Sequence, residues 1–238
     1  MSASRRAASS GGTRGKIQEM IALYDVKVPT CGAGRADARA LSWRVERGQW
    51  AEVVGGAGSG KSALFEVITL MSQPLSGRLV VAGRNLERVG RGGLSAVRQE
   101  IGACAQWPQV LVGRTVVEHA VLPMVARGGA SGALAAAEAV LEGLGLEHLR
   151  DVPGSQLSAQ DRMLVGVMMA TVGSPKLVVI DAVHEALEAA WRGRVLSWLW
   201  QLKERGSTVV VLGRRPTSRS SGGEILRLDA VAPEAALC

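Results

Sequence analysis

Aromatic residues other than tryptophan, and cysteines, are scarce in this chain of 238 residues. It has one Phe, one Tyr and three Cys. Proteins that bind single-stranded nucleic acid usually stack the bases on aromatic rings, so this scarcity argues against that class. The cysteines, Cys31, Cys104 and Cys238, do not have the spacing of metal ligands. We therefore expect reduced thiols in a cytosolic setting, and neither a zinc site nor a disulfide framework.

Long apolar runs are also missing. Crossing a bilayer takes about 18–20 consecutive apolar residues, and the longest run here, around residues 164–172, is shorter and contains Gly166. No apolar segment follows the basic residues near the start. We expect residues 1–18 to form a disordered basic tail and not a signal peptide, with a transit peptide as an alternative. Any role at a membrane would then need a separate membrane partner.

The charge of the chain is unevenly distributed. The formal net charge is +7, and four positive charges lie in the tail, at Arg5, Arg6, Arg14 and Lys16. The rest of the chain therefore carries only about +3, which predicts no nucleic-acid partner. Binding of the basic ends to a membrane surface or to an anionic partner remains an open alternative.

Strand and helix patterns alternate along the chain, and hydrophobic residues make up 47% of it. This alternation predicts an α/β fold in which helices cover a mixed sheet. "MIALYDVKV" and "ALSWRVERG" read as a leading pair of strands. The segment "RTVVEHAVLPMVARGGASGALAAAEAVLEGLGLEHL" reads as helical with a break at "RGGASG". We expect a single domain over residues 19–230, a helical part at about 108–172, and a C-terminal tail at 231–238.

The stretch "GGAGSGKS" (residues 55–62) fits the phosphate-loop pattern G-x-x-x-x-G-K-[ST]. It follows the apolar strand "AEVV" and opens the helix "SALFEVITLM", which is the context the motif requires. Glycines let backbone N–H groups converge on phosphate oxygens, and the helix N-terminus adds partial positive charge. Lys61 can reach the terminal phosphates, and Ser62 can bind Mg²⁺. The predicted nucleotide-binding residues of the loop are Gly55, Gly58, Ser59, Gly60, Lys61, Ser62 and Ala63.

Two further stretches carry a family resemblance over residues 20–230. "IGACAQWPQVLVGRTVVEHAVLP" and "PGSQLSAQDRMLVGVMMATVGSPKLVVID" resemble the Q-loop, signature helix and Walker B strand of ABC ATPases, closest to the cell-division (FtsE-like) and lipoprotein-release type. The resemblance implies a P-loop NTPase fold of the ABC type, with an antiparallel β subdomain and a helical subdomain. It implies ATP and Mg²⁺ as cofactors, with Gln106 and Asp181 joining Ser62 as metal ligands. It also implies a permease-like membrane partner, a dimer with itself or with a paralogous subunit, and a place on the cytoplasmic face of the inner membrane.

Several positions depart from the family pattern. The signature reads "LSAQD", with Ala159 and Gln160 in place of glycines. The position of the catalytic glutamate is Ala182, and that of the switch histidine is Arg214. Glu188 stands for the usual D-loop Asp, and Thr30 for the aromatic residue that stacks on adenine.

The residues that bind MgATP on this subunit are kept, and those that activate water or contact the partner's nucleotide are changed. We therefore expect an ATP-binding subunit with little or no hydrolysis of its own, because Ala182 can neither accept a proton nor orient water. One alternative is an active ATPase that uses His184 or Glu185 as its base; otherwise His184 lies in a loop and Glu185 is solvated. Another alternative is a soluble nucleotide-dependent sensor or scaffold.

Trp107 follows Gln106 in a predicted loop. An exposed Trp there, with Val110, Leu111 and Val112 in the same loop, would suit docking onto the membrane partner through residues 106–112 and the following helical insert. A buried loop anchor is the alternative for Trp107. We expect His119 and His148 to be surface or hydrogen-bonded groups. Trp191 and Trp198 lie seven positions apart, so we expect them on one helix face that packs in the core.

Overall fold

The computed structural model describes residues 19–29, 40–129, 131–219 and 223–228. The expected tails at 1–18 and 231–238, together with Thr30, lie outside the described residues. Within the described ranges, no helix combines the length and the apolar character that a membrane span needs.

The strands form two sheets. An antiparallel four-stranded sheet has the order β2-β1-β4-β5, and a five-stranded sheet has the order β6-β7-β8-β3-β9. Every strand pair in the second sheet is parallel. The strands, in chain order, are β1 (Glu19–Lys27), β2 (Ala40–Glu46), β3 (Trp50–Gly55), β4 (Ser76–Val81), β5 (Arg84–Asn85), β6 (Ile101–Cys104), β7 (Leu177–Asp181), β8 (Thr208–Gly213) and β9 (Glu224–Leu228).

Helices surround the parallel sheet. They are, in chain order, α1 (Lys61–Ile68), α2 (Arg91–Gln99), α3 (Val116–Ala126), α4 (Ala133–Leu144), α5 (Ala159–Thr171), α6 (Val183–Ala186) and α7 (Ala189–Glu204). Thr115 and Ser158 cap α3 and α5 through capping boxes with Glu118 and Asp161, which fixes where these helices begin. The predicted break at "RGGASG" is confirmed as the connection between α3 and α4, whereas the sequence interpretation did not include α2.

The central strands pack on both faces. All residues of β7 and β8 are buried, which explains their unbroken apolar runs. Val178 and Ile180 of β7 belong to a cluster with α3, α4, α5 and α7. Leu177 and Val179 belong to a second cluster with α1 and the antiparallel sheet. The predicted α/β fold with a separate antiparallel part is thus confirmed.

The parallel arrangement places the segments with the predicted functional residues at one edge of the sheet. Strands β3, β6, β7 and β8 run in the same direction, so their carboxyl ends lie together. The segments that follow these ends carry the phosphate loop, Gln106, Ala182 and Arg214.

Candidate nucleotide-binding site

The phosphate loop connects β3 to α1 through a backbone that favours glycine. Gly58 and Gly60 have φ values of 72° and 88°, in the left-handed region. A Cβ on Gly55 would lie 2.5 Å from Ser59 Oγ and 2.6 Å from the carbonyl oxygen of Leu228, so no side chain fits there. The glycines predicted from the motif are therefore required by the geometry of the loop.

The Lys61 ammonium is held inside the loop. Its Nζ donates to the carbonyl oxygens of Gly55 and Gly56 at 2.8 and 2.6 Å, and to Ser59 Oγ at 3.3 Å. Burial lowers the pKa of Lys61, the charges of Asp181 and Glu185 raise it, and the charge of Arg214 lowers it. These three charged side chains therefore act on the same ammonium group.

Ser62 and Asp181 meet beside Lys61. The Ser62 hydroxyl donates to Asp181 Oδ2 at 2.9 Å. Asp181 is only 3% exposed, and burial raises its pKa, while the hydrogen bond from Ser62 and the charge of Lys61 lower it. A hydroxyl and a carboxylate are oxygen ligands of the kind that Mg²⁺ prefers, so these two residues fit the expected metal.

Gln106 lies at the same edge of the sheet. Cys104, at the end of β6, pairs with Ile180 of β7, so Gln106 follows β6 just as Asp181 ends β7. Its side chain is exposed. Its part in binding the metal or the nucleotide stays a prediction.

The segment after Asp181 carries the altered residues. Ala182 is buried and has a left-handed backbone with φ 54°. Its methyl group offers no acceptor for a proton. Glu185 lies in α6, and its Oε1 accepts a hydrogen bond from the backbone N–H of Arg214. Glu185 is half-buried and hydrogen-bonded, so it is only partly solvated.

His184 lies in α6 and not in a loop, contrary to the sequence interpretation. It is 4% exposed, and its Nδ1 has no hydrogen-bond partner among the described residues. Burial lowers the pKa of His184, the charges of Glu185 and Glu52 raise it, and the charge of Arg192 lowers it. The imidazole is therefore neutral at neutral pH.

The altered signature makes a contact within its own chain. The Oε1 of Gln160 accepts a hydrogen bond from the backbone N–H of Glu188 at 3.3 Å. Ser158, two positions earlier in the signature, caps α5. Gln160 therefore links the start of the signature helix to the segment that holds the D-loop position.

Glu52 is a polar residue that the sequence interpretation missed. It is 1% exposed in β3, and its carboxylate accepts hydrogen bonds from Trp50 Nε1 at 2.8 Å and from the N–H of Thr217 at 2.9 Å. The Thr217 hydroxyl donates to it as well. The available signal was a single acid within the apolar strand "WAEVVG", since a buried acid needs partners.

Three of the four side chains predicted to dock a partner are exposed, and the fourth, Val110, is partly buried against the core. Trp107 is 65% exposed, and Leu111 and Val112 are exposed as well. The alternative in which Trp107 is a buried anchor is wrong. His119 is buried, and its ring nitrogens bond Leu111 N and the carbonyl oxygen of Thr115, both at 2.7 Å, so it is a satisfied polar group.

A known family model matches the part of the chain that contains most of these site residues. The family model described as "ABC transporter" matches residues 38–184, which include the phosphate loop and Asp181. The chain belongs to the ABC transporter family. The fold of this ABC chain is similar to a dimeric structure of the ATP-binding cassette MJ0796 bound to ADP and Pi. The TM-score is 0.78 at 23% identity, and the match covers 89% of this chain and 96% of the other.

Relatives of this ABC chain include methionine import ATP-binding proteins called MetN. The one from Cupriavidus metallidurans is 34% identical over 184 residues, which are 76% of this chain and 54% of the relative. The one from Bordetella pertussis is 30% identical over 181 residues, which are 75% and 50% of the two chains. The chain thus spans about half the length of the relatives it matches.

Proposed function

We propose that this chain is the nucleotide-binding subunit of an ABC-type membrane complex, and that it binds MgATP with little or no hydrolysis of its own. One observation carries the proposal. The Ser62 hydroxyl and the Asp181 carboxylate lie 2.9 Å apart beside Lys61, whereas the next residue is Ala182. Groups for binding phosphates and metal are present, and the group that orients water is replaced by a methyl.

Hydrolysis of ATP needs more than binding. The attacking water must be oriented, and the charge that develops around the γ-phosphate must be stabilised. Loss of a general base typically costs about 10²–10⁴-fold in rate. The alanine at 182 and the side chain of Gln160 in the signature both favour a subunit that is slow when alone.

An active ATPase with Glu185 as its base is the competing function. Glu185 lies close enough to influence the pKa of Lys61. Its Oε1, however, already accepts the N–H of Arg214. That oxygen is therefore occupied by a backbone donor and is not free to orient a water molecule. We therefore favour slow hydrolysis.

A permease-like membrane subunit is the proposed partner, and a dimer with itself or with a paralogous subunit is the proposed assembly. Trp107, Leu111 and Val112 are exposed within six positions of one another in the chain, and exposed apolar residues of this kind support docking. The dimeric structure of MJ0796 supports pairing. We place the chain on the cytoplasmic face of the inner membrane, held there by its partner. A soluble sensor or scaffold is the alternative, and failure of the chain to associate with membranes would favour it.

The proposal also concerns which type of ABC complex contains this chain. The names of the MetN relatives support import of a small solute. The pieces of sequence around Gln106 and Leu157 support the FtsE-like and lipoprotein-release type instead. Cargo uptake by vesicles that contain the complex would separate these two types.

The test is titration of the purified chain with MgATP and MgADP in a calorimeter, followed by measurement of phosphate release. We expect saturable binding and a turnover far below about 1 s⁻¹, the low end of ordinary enzymes. If neither nucleotide binds, alone or in the complex, the proposed function is wrong. Ordinary turnover that depends on Lys61 would favour the active ATPase.

A further inference from the structure

The segment between β6 and α3 is exposed, yet hydrogen bonds tie it to the rest of the chain. It contains the docking loop (residues 106–112), in which Trp107, Leu111 and Val112 are exposed. The N–H of Arg114 donates to the carbonyl oxygen of Leu111 at 3.2 Å, which closes a tight turn at the end of this loop. Exposed apolar side chains bury little surface, so they contribute little to fixing the backbone that carries them. The order of the docking loop must therefore come from its hydrogen bonds.

His119 ties this turn to α3. The residue is fully buried, and its Nε2 accepts the backbone N–H of Leu111 at 2.7 Å. Its Nδ1 lies 2.7 Å from the carbonyl oxygen of Thr115. A carbonyl oxygen can only accept a hydrogen bond, so Nδ1 carries the proton and Nε2 is left as the acceptor. Both ring nitrogens are thus engaged, and one buried side chain of α3 fixes one backbone position of the exposed loop.

A second segment, just before α5, packs on the same turn. The N–H of Gly154 donates to the carbonyl oxygen of Arg114 at 2.8 Å. A Cβ on Gly154 would lie 2.4 Å from the carbonyl oxygen of Leu111 and 3.5 Å from Cε1 of His119. Glycine at this position therefore lets the segment contact both the turn and the imidazole ring.

We propose that His119 is the positioning residue of the docking loop, and that its Nε2 acceptor sets the arrangement in which the exposed apolar side chains meet a membrane partner. The inference rests on the proposed function, since it takes this loop as the docking surface. A surface that already has its bound shape loses less conformational freedom on association than one that must first be ordered. His119 is fully buried, so it acts on the partner only through the backbone of Leu111.

Two variants separate the acceptor of His119 from its bulk. His119→Gln can place an amide oxygen where Nε2 lies, and so keeps an acceptor for the N–H of Leu111. His119→Leu keeps an apolar side chain at the buried position but leaves that N–H without its partner. Both variants remove the imidazole, so a difference between them reports the hydrogen bond.

Amide hydrogen exchange of Leu111, followed by NMR in the purified chain, is the direct measurement. In His119→Leu this amide should exchange about tenfold faster or more, because an amide that loses its acceptor opens more readily. In His119→Gln its exchange should match that of the wild type. The amides of Val179 and Val210, in the buried strands β7 and β8, are the internal reference. The expected result is a rise at Leu111 relative to these two amides, so a general loss of stability does not mimic it.

Association with the membrane is the functional measurement. The probe is inner-membrane vesicles from cells of the source strain that lack this chain, and the readout is co-sedimentation of the added chain. His119→Leu should bind these vesicles about tenfold more weakly than the wild type, and His119→Gln should bind them as the wild type does. Affinity for MgATP should be equal in all three chains, because His119 lies outside the phosphate loop.

Two further variants serve as controls. His148→Leu removes an exposed histidine from the same helical part and should change neither the exchange of Leu111 nor the association. Trp107→Ala removes a proposed contact residue and should weaken the association without changing the exchange of Leu111. A positioning residue changes both quantities, whereas a contact residue changes only the association.

The outcomes separate this inference from the proposed function. If the exchange of Leu111 is unchanged in His119→Leu, or rises equally in His119→Gln, the Nε2 acceptor does not hold the loop and the inference is wrong. If the exchange rises as expected and association is unchanged, while Trp107→Ala weakens association, the inference is wrong and docking through the loop stands. If the wild-type chain does not bind the vesicles, both the proposed membrane docking and this inference are wrong.

Discussion

Ser62 and Asp181 are 119 positions apart in the chain, yet the Ser62 hydroxyl donates a 2.9 Å hydrogen bond to Asp181 Oδ2. The contact joins the first turn of α1 to the end of β7. It places a hydroxyl and a carboxylate beside the ammonium of Lys61, which is the combination that a magnesium nucleotide requires.

Lys61→Ala should weaken binding of MgATP by at least about tenfold, because it removes a charge-assisted hydrogen bond to the terminal phosphates. Calorimetric titration measures the effect. Lys176→Ala is the control, since Lys176 pairs with Glu100 at 3.1 Å on the surface and should leave affinity unchanged. Equal affinity of wild type and Lys61→Ala would contradict the assignment of the phosphate loop.

Ala182→Glu alone should not restore an ordinary rate of ATP hydrolysis. The added carboxylate supplies an acceptor for a proton, but Arg214 still stands at the switch position and Gln160 in the signature. The new acid would also lie next to the buried Asp181, where like charges disfavour each other. Steady-state phosphate release by the variant and the wild type is the measurement. A rise in the variant to about 1–10³ s⁻¹, the ordinary range, would show that Ala182 is the sole defect.

Trp107→Ala should weaken association with a membrane partner by about 1 kcal/mol or more, as loss of an interface tryptophan does. Since Trp107 is exposed, the thermal stability and the nucleotide affinity of the variant should match those of the wild type. Co-purification from membranes measures association. Met71→Ala is the control, because Met71 is equally exposed and lies outside the proposed docking loop. Full co-purification of a folded Trp107→Ala chain would rule out docking through this residue.

The buried His184 should make the chain less stable in mild acid. Because burial lowers its pKa below the ordinary 6.5, the unfolded chain binds a proton at a higher pH than the folded chain does. The free energy of unfolding contributed by this group is therefore present above pH 6.5 and is lost as the pH falls below it. Denaturant unfolding at several pH values measures the slope of the free energy of unfolding against pH.

His184→Phe removes the titrating group and should flatten this part of the slope. His148→Phe, at an exposed position, is the control and should keep it. If the free energy of unfolding of His184→Phe depends on pH as that of the wild type does, a group other than His184 causes the acid sensitivity.

The sequence predicted the parts of this molecule that depend on local pattern. Continuous apolar runs identified β7 and β8, and the phosphate-loop motif identified Lys61 and Ser62. The helix α2 was missed because "RGGLSAVRQ" contains two adjacent glycines, which disfavour a helix in isolation. Tertiary packing overrides that preference here.

The contacts around Arg214 could not be read from local pattern. Glu52 and Thr217 are 165 positions apart, and they meet because β3 and β8 are neighbours in the sheet. The sequence left Glu185 open as either a base or a solvated residue. Its true partner is a backbone N–H that lies 29 positions away. Such partners depend on strand order, which the sequence does not display directly.

The packing of strands β7 and β8 affects how the molecule unfolds. Alternate residues of each strand belong to the two hydrophobic clusters, with Val209 and Val211 of β8 in one and Val210 and Leu212 in the other. The same two strands carry Asp181 and lead to Arg214. Melting of either outer layer would expose one face of these strands to water. We therefore expect nucleotide binding to be lost when either half of the core melts.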